Sequence, residues 1–151
     1  MSGLKNKGFK NIELFKKRLD KRLKANPHNN ALKAVGRSVL IVNNTAVKSI
    51  TAGGSGKTSK RYEPTRTHTA SKPLDPPASD TGFLVSQITS NVTTKPDGSV
   101  VGQIISSAPY SKALEFGTTN MTARPFMQPA LEKNKRKIVD IFKKEGVIKW
   151  A

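Results

Sequence analysis

The stretch TAGGSGKTSK, which begins at Thr51, contains Gly56, Lys57 and Thr58, the residue types that close a phosphate-binding loop. Such a loop requires G-x-x-x-x-G-K-[ST], because its backbone amides must curl around the phosphates before a helix begins. Thr51 stands where the first glycine belongs, and the following SKRYEPTRTHTASKPLDPP carries Pro64, Pro73, Pro76 and Pro77 without a helical apolar period. No helix can then direct its amino end at a phosphate, so this segment reads as a basic flexible loop.

Other constellations are equally sparse. The acids are few and scattered, which leaves a paired-carboxylate mechanism without a seat. Glu115 is the one acid in an apolar neighbourhood, and Arg124, nine positions on and past a glycine turn, is its expected ion-pair partner. His68 lies among threonines in the loop, and no Ser, Asp and His set has the context of a nucleophilic triad. Tyr110 and Trp150 are single aromatics without interleaved basic strands, which fits packing better than base stacking. With no cysteine and only His28 and His68, thiolate metal sites and disulfides are excluded, and zinc would need carboxylate help. The residues therefore predict a protein that is not an enzyme and carries no cofactor or metal.

The charge is the larger fact. Twenty-seven basic against ten acidic residues in a chain of 151 give +17, which opposes a lone compact monomer and favours a polyanionic neighbour: nucleic acid, a membrane surface or an acidic protein. The opening MSGLKNKGFKNIELFKK has no apolar signal region and no segment approaches bilayer length, so neither secretion nor a membrane partner is expected. Basic residues are spread over both ends and the loop without helix-turn-helix, zinc-finger or aromatic RNA-binding spacing, so any DNA contact would be to phosphates and not to bases.

The elements that must position these residues can be read from periodicity. Phe9, Ile12, Phe15, Leu19 and Leu23 form one apolar stripe on a charged helix that ends at Asn26-Pro27. Leu32, Val35, Val39, Val42, Ala46 and Ile50 step by three or four, and this longer period outweighs the β-branched run VLIV, predicting a helix over residues 30–50. Residues 52–79 show no apolar period and are expected to be a long basic flexible loop. FLVSQITSNVTT and SVVGQIISS, joined by KPDG, read as a β-hairpin, with Leu84, Ile88 and Val92 on one face, Pro96 at the first central turn position and Gly98 at positive φ. Tyr110 to Phe116 predicts a short helix stopped by Gly117. A last helix begins near Phe126 or Met127, with Pro129 tolerated in its first turn, Leu131, Ile138, Ile141 and Phe142 as its apolar face, and Gly146 at its end.

Together these give one α+β domain. A helical part over residues 9–50 and a loop over 52–79 precede a small antiparallel sheet, with its hairpin at about 83–107 and a short helix, over 80–126; a carboxy-terminal helix fills 127–146 and a tail 147–151. Helices are expected on one face of the sheet.

Three segments in order, PPASDTGFLVSQI, APYSKALEFGT and TARPFMQPALE, resemble the minor tail component family of long-tailed bacteriophages, the gene-product-ten-like proteins of lambdoid phages. The likeness runs from about Pro77 to the end and fits the helical amino-terminal third more loosely. Asp80, Thr81 and Gly82 match the family's DTG turn and Leu84 its buried position. Tyr110, Glu115, Gly117 and Thr118 match the second motif, and Arg124, Pro125, Phe126, Pro129 and Ala130 the third. The chain departs from the pattern at Ser111, at Val85, Ser86 and Gln87, and in the length of its 52–79 loop. The resemblance implies a structural virion protein at the head-to-tail joint, assembled in the host cytoplasm as a ring of six or twelve copies between the head connector and the tail tube. Neighbouring neck proteins and the tail terminator would be its partners, and packaged DNA would be met through phosphates, with Lys57, Lys60, Arg61, Arg66 and Lys72 of the loop facing the channel. A terminator that caps the tail tube, or a sequence-independent DNA-binding protein, are the alternative expectations.

Overall fold

The computed structural model describes Leu14, Lys16 and Lys17 and residues 26–62 and 65–148. The amino-terminal stripe (Phe9, Ile12, Phe15, Leu19, Leu23) and Trp150 lie outside the described residues.

Helix α1, Pro27–Thr51, forms where the longer apolar period predicted it. Asn26 caps it, its side-chain oxygen accepting from the amides of His28 and Asn29 at 3.1 and 3.3 Å, while Pro27 occupies the first turn, where a missing N–H costs nothing. Asn26-Pro27 therefore starts this helix. Ala34, Ser38, Val42, Ala46 and Ile50 are its buried residues, one every fourth position, so the VLIV run is wrapped around a helix and only Val42 of it is fully buried.

Residues 52–79 differ from the expected structureless loop. Strands β1 (Thr58–Tyr62) and β2 (Thr65–Thr69) pair antiparallel, with Arg61 opposite Arg66 and Ser59 opposite His68. Their β-branched threonines favour extended backbone, and the strands lack apolar alternation because neither face of the ribbon enters the main core. The glycines before them serve this hairpin. Gly56 donates to the Ala70 carbonyl at 2.7 Å and Ala70 donates to the Lys57 carbonyl at 3.0 Å, while a Cβ on Gly54 would fall 1.8 Å from the Thr69 oxygen. Thus TAGGSGK is shaped to lie against its own backbone.

Phe83 to Ser86, expected as the start of a strand, is instead a helical turn, α2 (Phe83–Ser86). Gly82 at φ +79° turns the chain into it, and this rotation sends Leu84 into the core. Strands β3 (Ile88–Thr94) and β4 (Val100–Ser106) then form the expected hairpin as a sheet of two strands, separate from β1 and β2. The register sets Ile88 opposite Ser106, Ser90 opposite Ile104 and Val92 opposite Gly102. A Cβ at Gly102 would lie 2.3 Å from Val39 Cγ2 and 2.7 Å from Val35 Cγ1, so glycine lets the sheet rest directly on α1.

The connecting turn behaves as its residues dictate. Gly98 has φ +81° and donates to the Lys95 carbonyl at 2.9 Å. Asp97 accepts from the Ser99 hydroxyl at 2.6 Å and the Ser99 amide at 2.8 Å, which holds its carboxyl below the ordinary 3.8. A depressed carboxyl contributes stability above its unfolded pKa and loses it as pH falls through the lower folded value. Titration followed by carboxyl-carbon NMR is expected to place Asp97 below 3.8, with the turn's amide shifts moving in the same acid window; a midpoint at or above that value would contradict the geometry.

Helix α3 (Ser111–Phe116) ends at Gly117, and α4 (Met127–Lys144) follows Phe126 with Pro129 in its first turn. Gly146, at φ +71°, lies beyond its end. The fold is α+β, with α1 packed on α4 and on the β3–β4 hairpin. The core joins Val42, Ala46 and Ile50 of α1 to Leu84, Ala108, Phe126 and Ala130. On α4 the inward positions are Ala130 and Asn134 with Ile138 beside them, whereas Leu131, expected on the apolar face, is 45% exposed. Asn134 earns its interior place by donating to Thr45 Oγ1 at 2.9 Å and to the Ala130 carbonyl at 2.7 Å, a polar pin between the two long helices.

Candidate functional site

The three sequence motifs meet. A cleft of about 270 Å³ is lined by Asp80, Thr81, Gly82, Tyr110, Leu114 and Arg124, among others, drawing on each motif in turn. At one wall the rings of Phe83 and Tyr110 stand 6.2 Å apart. Below the cleft, Leu84, Phe126 and Ala130 sit in the core.

Within the first motif each residue has a local task. Ser79 donates to the Ile50 carbonyl at 2.9 Å, fixing the segment to the end of α1, and Thr81 Oγ1 accepts from the Phe83 amide at 3.3 Å. Asp80 reaches across to the β1–β2 hairpin. Its carboxylate lies 2.9 Å from Arg66 Nη2, 3.6 Å from Arg61 Nη2 and 3.7 Å from His68 Nδ1. The Arg66 approach is ionic and not directional, since Asp80 Oδ1 completes no well-angled hydrogen bond. The reason for the cluster is the register. Arg61 and Arg66 are cross-strand neighbours, a like-charge pairing that opposes the hairpin unless an acid lies between them. Two of the five loop cations expected to face DNA are thus engaged by the DTG aspartate, while the exposed Lys57, Lys60 and Lys72 form no ion pair among the described residues.

The second motif corrects an expectation. Glu115 does not pair with Arg124. Its Oε2 accepts from the amides of Phe126 and Met127 at 2.9 and 3.1 Å, and its Oε1 from the Gln128 amide at 2.8 Å. These are the unsatisfied donors at the start of α4, and an acid there also meets the positive end of the helix dipole. A carboxylate that accepts three backbone amides has found its partners, so an arginine is not required. Gly117 turns the chain back so that this can happen, with φ 75° and ψ 179°, a combination open essentially to glycine alone. Thr118 and Met121 then bridge, and the Arg124 amide donates to the Leu114 carbonyl at 2.6 Å. Pro125 follows in the irregular segment just before the bend at Phe126 that leads to α4.

Further basic side chains without an ion pair line a separate groove. Lys48 of α1 and Lys133 and Lys137 of α4 line a second groove, with Pro76, Phe126 and Pro129 among its other walls, and form no ion pair among the described residues. The sequence had shown α4 as basic, but only the packing of α1 on α4 brings Lys48 to it. Among the described residues no group of three or more histidine, aspartate or glutamate side chains is placed to hold a metal ion, and no helix is long and apolar enough to cross a membrane.

Comparison with known proteins finds no matching family model, no matching curated protein and no matching solved structure, so the site is read from its own geometry.

Proposed function

We propose that this chain is a structural protein of a tailed-phage neck, a tail-completion component that joins the head connector to the tail by assembling as a ring around the DNA channel. The observation that carries the reading is the convergence of the three motif segments. Six residues that bear the resemblance serve one compact unit: Asp80 ties down a hairpin, Glu115 caps α4, Gly117 folds the chain back, and Leu84, Phe126 and Ala130 fill the core. Residues spent on shape in this way suit a protein whose work is packing. Exposed apolar side chains, Leu74 at 70% and Phe116 at 73%, offer surface for a neighbouring subunit. Six or twelve copies, contacting the tail terminator and tail tube, would multiply the positive field around the packaged DNA.

Light scattering behind a sizing column, followed by averaged images of the protein mixed with tail tubes, tests this. The expected result is a closed ring on the tube end. A chain that stays monomeric and leaves tubes undecorated overturns the reading.

A second reading, a sequence-independent DNA-binding protein acting as a monomer or dimer, is favoured by one observation, Lys48, Lys133 and Lys137 along a single groove with no ion pair among the described residues. It predicts duplex binding in the absence of rings, with affinity falling steeply as salt rises, and a shallower slope when the three lysines are replaced by glutamine.

A further inference from the structure

Among the described residues, Arg124 is a cation without an anion. It is half-buried in the wall of the first cleft, its Nε is shut off from solvent without an acceptor, and no carboxylate among the described residues lies within ion-pair distance. The two acids that could have served it are committed: Glu115 gives both oxygens to the amides of α4, and Asp80 is held by Arg61 and Arg66. An arginine withdrawn from water and left unpaired is unfavourable, and its fixed fork of donors is shaped for a carboxylate or phosphate arriving from outside.

We propose that this cleft receives an acidic side chain, flanked by an apolar residue, from a partner protein. Size and lining favour that occupant over a nucleic-acid backbone. About 270 Å³, walled by Ala70, Pro77, Leu84 and Leu114, admits a single side chain and its neighbour, whereas a duplex presents its phosphates on a convex surface too broad to enter. At the mouth, Phe83 and Tyr110 are 46% and 44% exposed and offer a ledge for the flanking apolar group. Charge favours a different chain over a second copy, since each copy carries +17. In the bound state the carboxylate accepts from the Arg124 guanidinium and the apolar neighbour covers the Phe83–Tyr110 pair. The inference rests on Arg124 and the cleft alone and stands whether or not the chain belongs to a phage neck.

The test uses the full chain labelled with nitrogen-15, at physiological salt, titrated with the blocked peptide Leu-Glu-Leu, with Leu-Gln-Leu, and with inorganic phosphate. Saturable shifts are expected from the glutamate peptide at the Thr81, Gly82 and Tyr110 amides and at the Arg124 side-chain N–H. Half-saturation should need at least fivefold more of the glutamine peptide, and at least fivefold more glutamate peptide against Arg124→Gln. Arg124→Lys, which keeps the charge but not the fork, should fall between. Equal response to both peptides, phosphate acting as well as the glutamate peptide at these same positions, or unchanged affinity in a folded Arg124→Gln would each overturn the proposal. Thermal melts establish that the variants are folded, and should neither fold, the comparison of the two peptides on the unmodified chain decides.

Discussion

Glu115→Ala is expected to lower the free energy of unfolding by about 2–4 kcal/mol, because hydrogen bonds to an ionised group are the stronger kind and their loss strands the part-buried amides of Phe126 and Met127. Three amides, those of Phe126, Met127 and Gln128, depend on this one carboxylate. Phe126 is almost wholly buried, so its amide has little access to replacement water. Glu115→Gln should lose roughly half as much, since the amide retains an acceptor but not the charge that meets the helix dipole. Arg124→Ala should not reproduce the loss. Chemical denaturation monitored by circular dichroism measures all three, and an arginine variant as damaging as Glu115→Ala would restore the ion pair that the sequence suggested.

The second large effect is expected at Gly117. An alanine there must adopt φ 75° and ψ 179° and would place its Cβ 2.8 Å from the Met121 oxygen and 2.9 Å from the Ala123 nitrogen. Backbone strain in that region costs about 1–3 kcal/mol, and the overlap with rigid main chain adds to it. Gly146→Ala is the control. It shares a positive φ, 71°, but its Cβ would meet nothing within 4 Å, so it carries the cost of a positive φ without a collision. Gly117→Ala is expected to be the more destabilising in thermal and chemical unfolding; equal losses would show that the turn relaxes around an added methyl group.

Both residues were visible in the sequence, though with unequal meaning. The stop at Gly117 follows from a local rule, since a short apolar run ending in glycine closes a helix whatever lies beyond. The partner of Glu115 does not. A sequence shows which cations lie near an acid along the chain, but the amides at a helix start occur in every helix and carry no side-chain signature. The same limit hid the β1–β2 hairpin. Apolar alternation detects strands that bury one face, and TSKRY and TRTHT bury neither in the main core; their threonines were the one signal, and prolines nearby drowned it. Helix α1 was legible because its apolar period persists from Leu32 to Ile50, long enough for spacing to outweigh the β preference of VLIV. Leu84 was placed correctly in the interior and wrongly in a strand, because a buried position two beyond a glycine fits a turn of helix as well as a pleat. The cleft itself was partly legible. Its motif residues could be named, but that Arg124 is left without an acid depends on where Asp80 and Glu115 point.

The binding of Arg61 and Arg66 by Asp80 changes what the charged exterior of the loop can do to a polyanion passing beside it. With both guanidinium groups drawn to Asp80, Arg66 half-buried and Arg61 still exposed, the loop cations left without an ion pair among the described residues are Lys57, Lys60 and Lys72. An ammonium group is compact and strongly hydrated and touches a phosphate as a point, where a guanidinium grips it with two parallel bonds. On the proposed reading, such a rim would attract a strand of DNA yet let it slip, more like a greased collar than a ratchet.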